Sequence, residues 1–149
     1  MKSLNENSRK IRLSQHFYLG EFLKSETAKK LGIDNSIKDS RHLENLSNLV
    51  YFILEPARQE IQRPIKITSG YRVPELNKAV GGIANSQHII GQAADIQINN
   101  EQYANNLFEI LSNNPKVDAL LFEKSENTKW IHVSWSRNPR HIIRKDYFV

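Results

Sequence analysis

Three side chains in this sequence have the types and spacing that metal chemistry needs. His88 and Asp95 lie seven positions apart in NSQHIIGQAADIQI, residues 85 to 98, and His132 follows in WIHVSW, residues 130 to 135. Two imidazole nitrogens and a carboxylate oxygen are donors that a divalent ion such as zinc accepts. Three protein ligands leave the fourth tetrahedral position to water, which is the pattern of a catalytic site; a structural site is normally closed by a fourth side chain. The plainer alternative is a buried Asp-His cluster with no metal. The chain has no cysteine, so thiolate ligands, thiol catalysis and disulfides are all excluded, and any metal must be held by His, Asp, Glu or water.

These residues can meet only if the surrounding elements bring them together. In a strand reading of WIHVSW, Trp130, His132 and Ser134 share one face, and Ile131, Val133 and Trp135 share the other. In AADIQI the isoleucines Ile96 and Ile98 are the natural core contacts, so Asp95 faces the opposite way, into a cleft. Gly91 allows a tight reversal between His88 and Asp95, and Ala93 and Ala94 leave room for close packing.

The rest of the chain supplies one domain's worth of supporting elements. Its 149 residues, 39% hydrophobic, suffice for a single core. Residues 1 to 13 read as a flexible basic arm and 14 to 149 as the folded domain. A short helix is expected from about Glu21 to Leu31, with Gly32 at its C-cap. Leu43, Leu46, Val50, Ile53, Leu54, Ala57 and Ile61 recur at helical steps, so 40 to 61 is the main core helix, kinked or divided near Glu55 by Pro56. PIKITSGYR reads as a strand and turn, Pro74 opens a short helix that Gly81 and Gly82 end, and Asn100 caps a helix over 101 to 112. DALLFEK and KWIHVSW form a hairpin around SENT. The expected fold is α+β, an antiparallel sheet carrying the site with helices packed on its other side.

SQHIIGQAAD, residues 86 to 95, matches S-x-H-x-x-G-x-A-x-D, and the segment resembles the zinc D-Ala-D-Ala carboxypeptidase and L-alanyl-D-glutamate endopeptidase group, which shares its fold with the hedgehog signalling domain. SGYR at 69 to 72 and WIHVSW at 130 to 135 are similar to the other two blocks of that group, in the same order. The resemblance covers roughly residues 14 to 136, and HFYLGEFLKSETAKKLGIDN looks like the start of a bacterial and prophage-encoded branch. It implies Zn2+ held by His88, Asp95 and His132, the same three residues, and it gives Arg72 the role of steadying the substrate carbonyl as negative charge develops. Without it, Arg72 reads as a surface arginine after a turn.

The proton-transfer group is less direct. Many relatives carry an acid three positions before the last histidine ligand, where this chain has Lys129. Glu123 is the local substitute, and the hairpin decides whether it reaches the site. A two-residue turn at 127 and 128 or a four-residue loop at 125 to 128 places Glu123 on the His132 face; a three- or five-residue loop turns it away. Glu126 lies in the turn itself. Ser69, Ser86 and Gln87 flank the ligands and either bind substrate or stabilise turns, and Trp130 either lines the cleft or packs. His16, His42 and His141 fall outside the motifs.

The expected function is zinc-dependent hydrolysis of peptidoglycan stem peptides, as a carboxypeptidase, endopeptidase or endolysin, with a non-hydrolytic zinc-containing binding or assembly module of the same fold as the alternative. A net charge of +5 suits an anionic partner such as a wall polymer. Nucleic acid is not expected, because the aromatic-basic patterns of common RNA and DNA modules are missing. The basic tail RNPRHIIRK reads as a solvated surface or as facing an anionic polymer. No apolar run serves as a signal peptide or membrane span, so synthesis in the cytoplasm, action at the wall after holin release or another export route, and a monomeric state are the expectations.

Overall fold

The computed structural model describes residues 10–145. The expected arm lies outside the described residues as far as residue 9. Beyond it, Arg12 bridges to Tyr18 and the Leu19 amide donates to the Ile11 carbonyl at 2.8 Å.

Helix α1, Leu19–Leu23, and helix α2, Glu26–Leu31, replace the single helix expected over 21 to 31. The break falls at Lys24, whose backbone is extended, and Ser25 opens α2 by accepting the Ala28 amide at 3.1 Å. Gly32 closes α2 with φ 67°, a left-handed position that glycine takes without strain.

The main core helix is α3, Ser40–Leu49, followed by a π turn over Val50–Leu54 and by α4, Glu55–Ile61. Pro56 accounts for the interruption. It has no N–H to give to the Phe52 carbonyl, the ladder widens so that the Glu55 amide reaches back to Val50, and Asn114 Nδ2 fills the vacant Phe52 carbonyl at 2.8 Å.

Strand β1, Ile67–Ser69, is followed by α5, Pro74–Ala79, a 3-10 turn over Gln87–Ile90, and β2, Ala93–Gln97. Helix α6, Glu101–Ser112, begins where the Asn100 side chain accepts the Tyr103 amide at 2.8 Å. Strands β3, Val117–Lys124, and β4, Lys129–Trp135, form the hairpin, and β5, Ile142–Arg144, is the last element among the described residues.

The five strands are ordered β1-β2-β4-β3-β5. Four of them are antiparallel, as expected, but β5 runs parallel to β3. The strands that carry the site are thus antiparallel, and the edge strand makes the whole sheet mixed. The chain reverses after Trp135 and adds β5 to the outer edge of β3, so β5 runs opposite to β4 and therefore parallel to β3.

Residues paired across strands share a face. The rows Ala94–Val133–Leu120–Ile143 and Ile96–Ile131–Phe122 belong to one face, and their side chains join the helices in one apolar core. Phe108 of α6 stacks on Phe122 at 4.4 Å between ring centroids, and Phe52 stacks on Trp135 at 6.4 Å. The rows Asp95–His132–Leu121–Arg144 and Gln97–Trp130–Glu123 belong to the other face. Alternation along the strands therefore separates core from cleft by one residue. Among the described residues no helix is long and apolar enough to cross a membrane.

Candidate active site

His88 enters the cleft from the 3-10 turn. Ser86 caps that turn by accepting the His88 amide at 3.2 Å, and Gly91 ends it at φ 79°. A side chain on Gly91 would collide with the backbone carbonyl of His42, so both the left-handed backbone and the close approach of α3 require glycine there. Asp95 and His132 are directly paired across β2 and β4. Side-chain atoms of His88, Asp95 and His132 able to bind a metal all lie within 4.8 Å of one another.

Asp95 Oδ1 accepts from His132 Nδ1 at 2.9 Å and lies 3.3 Å from His88 Nε2. Two ligands each about 2.0 to 2.1 Å from a tetrahedral zinc are roughly 3.3 Å apart, close to the two separations that Asp95 makes with the histidines. His88 Nδ1 is 2.6 Å from the Gly70 carbonyl. A carbonyl can only accept, so Nδ1 carries the proton and the Nε2 lone pair points to Asp95, the arrangement that orients a metal-binding imidazole. Gly70 itself abuts Phe22, whose backbone is 2.7 Å from where a β-carbon would stand. Burial works against the Asp95 carboxylate, but the hydrogen bond from His132 and the neighbouring His88 ring outweigh it and hold the group well below the usual carboxylate range.

Arg72 is locked from all sides. Its Nε donates to Ser69 Oγ at 3.1 Å, Nη1 to Asn77 Oδ1 at 3.0 Å, and Nη2 to Asp95 Oδ2 at 3.4 Å. Burial pulls its pKa below the ordinary value, opposed by the charges of Asp95 and Glu123; arginine starts so high that it stays a cation. Asn35, buried under this turn, donates to the Leu23 and Tyr71 carbonyls at 3.0 and 2.9 Å and accepts from the Val73 amide at 2.9 Å.

The hairpin has the four-residue loop, with Lys124 opposite Lys129, Glu123 opposite Trp130, and the Ser125 amide donating to the Thr128 carbonyl. Glu123 is therefore on the His132 face, its Oε1 3.8 Å from His132 Nδ1. Burial raises its pKa, countered in part by His132, a direction that suits proton transfer. Lys129 is an odd number of residues from His132 along a regular strand and so belongs to the opposite face. An acid at position 129 of this strand would point away from the cluster.

An open cleft of about 700 Å³ joins Arg72, Ser86, Gln87, His88, Asp95, Glu123, Trp130 and His132. Ser69 does not line it and serves as the acceptor for Arg72. Gln87 turns its amide toward Gln92 and Asp118, at 3.1 and 3.0 Å. A groove of about 820 Å³ along α1 and α2 is larger but is lined by no histidine. Sequence reasoning overlooked Asn35, Asn77 and Asp118. Gly82 carried a signal for Asn77, because a β-carbon there would strike the Asn77 amide oxygen; the other two are single polar residues with no motif.

A family model described as Peptidase M15 matches residues 15–134. No protein with a curated description matches the chain.

Proposed function

The chain belongs to the peptidase M15 family, whose members are zinc metallopeptidases, and from that premise we propose that it hydrolyses a peptide bond of a peptidoglycan stem, with His88, Asp95 and His132 as the zinc ligands and Glu123 as the general base. The observation that supports this most is the convergence of the three ligands on one cleft with Glu123 3.8 Å from His132. Zinc bound there supplies Lewis acidity and makes water nucleophilic at neutral pH.

The protein's own residues carry the remaining steps. The Gly70 carbonyl keeps the His88 ring in its ligating tautomer. Arg72, held by Ser69, Asn77 and Asp95, has two N–H groups left and directs one of them toward the carbonyl oxygen of the substrate as that oxygen gains charge. Glu123 takes the proton from the attacking water as its oxygen bonds to the carbonyl carbon, then returns it to the amine nitrogen as the C–N bond breaks. Trp130, directly opposite Glu123 on β4, offers an apolar wall to the substrate. Action at the cell wall, after release by a holin or another export route, belongs to the same proposal.

Digestion of purified peptidoglycan and of a free stem peptide, followed by mass spectrometry, tests it together with zinc analysis. Wild type should hold about one zinc and release a defined fragment, and Glu123→Gln should keep the zinc and lose about 10²- to 10⁴-fold in kcat. Full activity in Glu123→Gln removes Glu123 as the base. Bound zinc without any cleavage by wild type favours a non-hydrolytic binding module.

A further inference from the structure

The cleft continues past Leu121 to the outer edge of the sheet, where Arg140, Ile142 and Arg144 line it. Strand register puts Arg144 in the same row as Asp95, His132 and Leu121. Two strand spacings, about 10 Å in all, separate the His132 and Arg144 backbones. An extended peptide advances roughly 3.3 Å per residue, so Arg144 faces a group about three residues along a substrate that crosses the sheet.

The two edge arginines differ in what already neutralises them. Arg140 donates its amide, Nε and Nη2 to Asp118 at 2.9, 3.1 and 2.8 Å. Asp118, 1% exposed, also accepts Gln87 Nε2 at 3.0 Å, so Arg140 is braced against the turn that carries His88. Arg144 has no ion-pair partner among the described residues. The carboxylates that line the cleft, Asp95 and Glu123, are both at the zinc-ligand end. Among the described residues the far end therefore presents a guanidinium fork that no carboxylate pairs, shaped for a carboxylate.

We propose that Arg144, with Arg140 braced beside it, forms an anion subsite that binds a free carboxylate of the substrate peptide about three residues from the bond that is cut. The subsite rests on the peptidase reading for its occupant, but its affinity for a carboxylate can be measured without turnover. Its chemistry makes the enzyme select between stems that differ only in whether one acidic side chain is free or amidated.

Two measurements on the full chain test this. With a pair of stem peptides identical but for one carboxylate or carboxamide, wild type should show a KM about tenfold lower for the acid, and Arg144→Gln should bring the ratio of the two KM values to about one. Equal KM values for the pair in wild type overturn the subsite and leave the peptidase reading intact. Independently, the Nε–Hε NMR signal that disappears in Arg144→Gln should move on titration with N-acetylglutamate α-amide and stay still with N-acetylglutamine amide, which has no carboxylate. No movement overturns the subsite; movement in a protein that cleaves nothing upholds it while the hydrolase reading fails.

Discussion

Two carboxylate–histidine pairs in this molecule look alike at close range and differ in everything that decides function. Asp95 meets His132 at 2.9 Å, and Glu55 meets His16 at 2.7 Å. Glu55 is saturated by the protein: Ser14 Oγ donates at 2.6 Å, the His16 amide at 2.7 Å and the His16 ring at 2.7 Å. Those bonds tie the segment before α1 to the start of α4. Asp95 has a second imidazole beside it, oriented by a backbone carbonyl, and lies on a cleft. A carboxylate–histidine contact is thus ordinary structural chemistry, and the capacity for metal comes from a second ring whose lone pair is aimed at the same point.

The comparison breaks if the two clusters respond alike to substitution. Asp95→Ala should lower zinc affinity by more than about 100-fold, beyond what losing a ligand's hydrogen-bond partner costs, and activity should vanish with it; Glu55→Gln should keep about one zinc per chain. Isothermal titration of the metal-stripped proteins reads both. Equal zinc loss in the two variants would mean that the Asp95 cluster is not the metal site.

Stability should show the opposite order. Glu55→Ala leaves the donors of Ser14 and His16 without their acceptor and should cost about 2 kcal/mol, seen as a lower urea midpoint with unchanged slope. The folded variant should still bind zinc. A midpoint equal to wild type would make the Glu55 cluster a surface feature without energetic weight.

The smallest effect is in pH. Burial opposes the Glu55 carboxylate, but hydrogen bonds from Ser14 and His16 win and lower its pKa from 4.5. A depressed folded pKa means that the unfolded chain binds the proton first, so the stabilisation is complete above about 4.5 and fades as pH falls through the lower folded value. Urea midpoints of wild type and Glu55→Gln should therefore differ at pH 7 and converge toward pH 3. A gap that stays constant would show that the charge of Glu55 contributes nothing.

Much of the site was legible because β alternation is strict. A period of two assigned Asp95 and His132 to the face opposite Ile96 and Ile131, and the paired register confirms that division. The helix caps at Asn100 and Ser25 obey local hydrogen bonding, although the role of Ser25 was missed because the apolar pattern runs across the break at Lys24. Pro56 announced an interruption, but its form, a π turn with Asn114 supplying the missing donor, depends on a residue 58 positions away. Strand β5 carries too little pattern in three residues to be read as a strand at all.

The sequence by itself determined the donor types, the faces of the strands and the short list of hairpin registers, because these follow from local stereochemistry and a fixed repeat. Only the tertiary structure chose the four-residue loop that turns Glu123 toward His132 and Lys129 away, set the Gly70 carbonyl against His88, and laid Arg144 beside Leu121. Each of those choices is a contact between segments far apart in the chain, and its energy exists only after the core has brought them together.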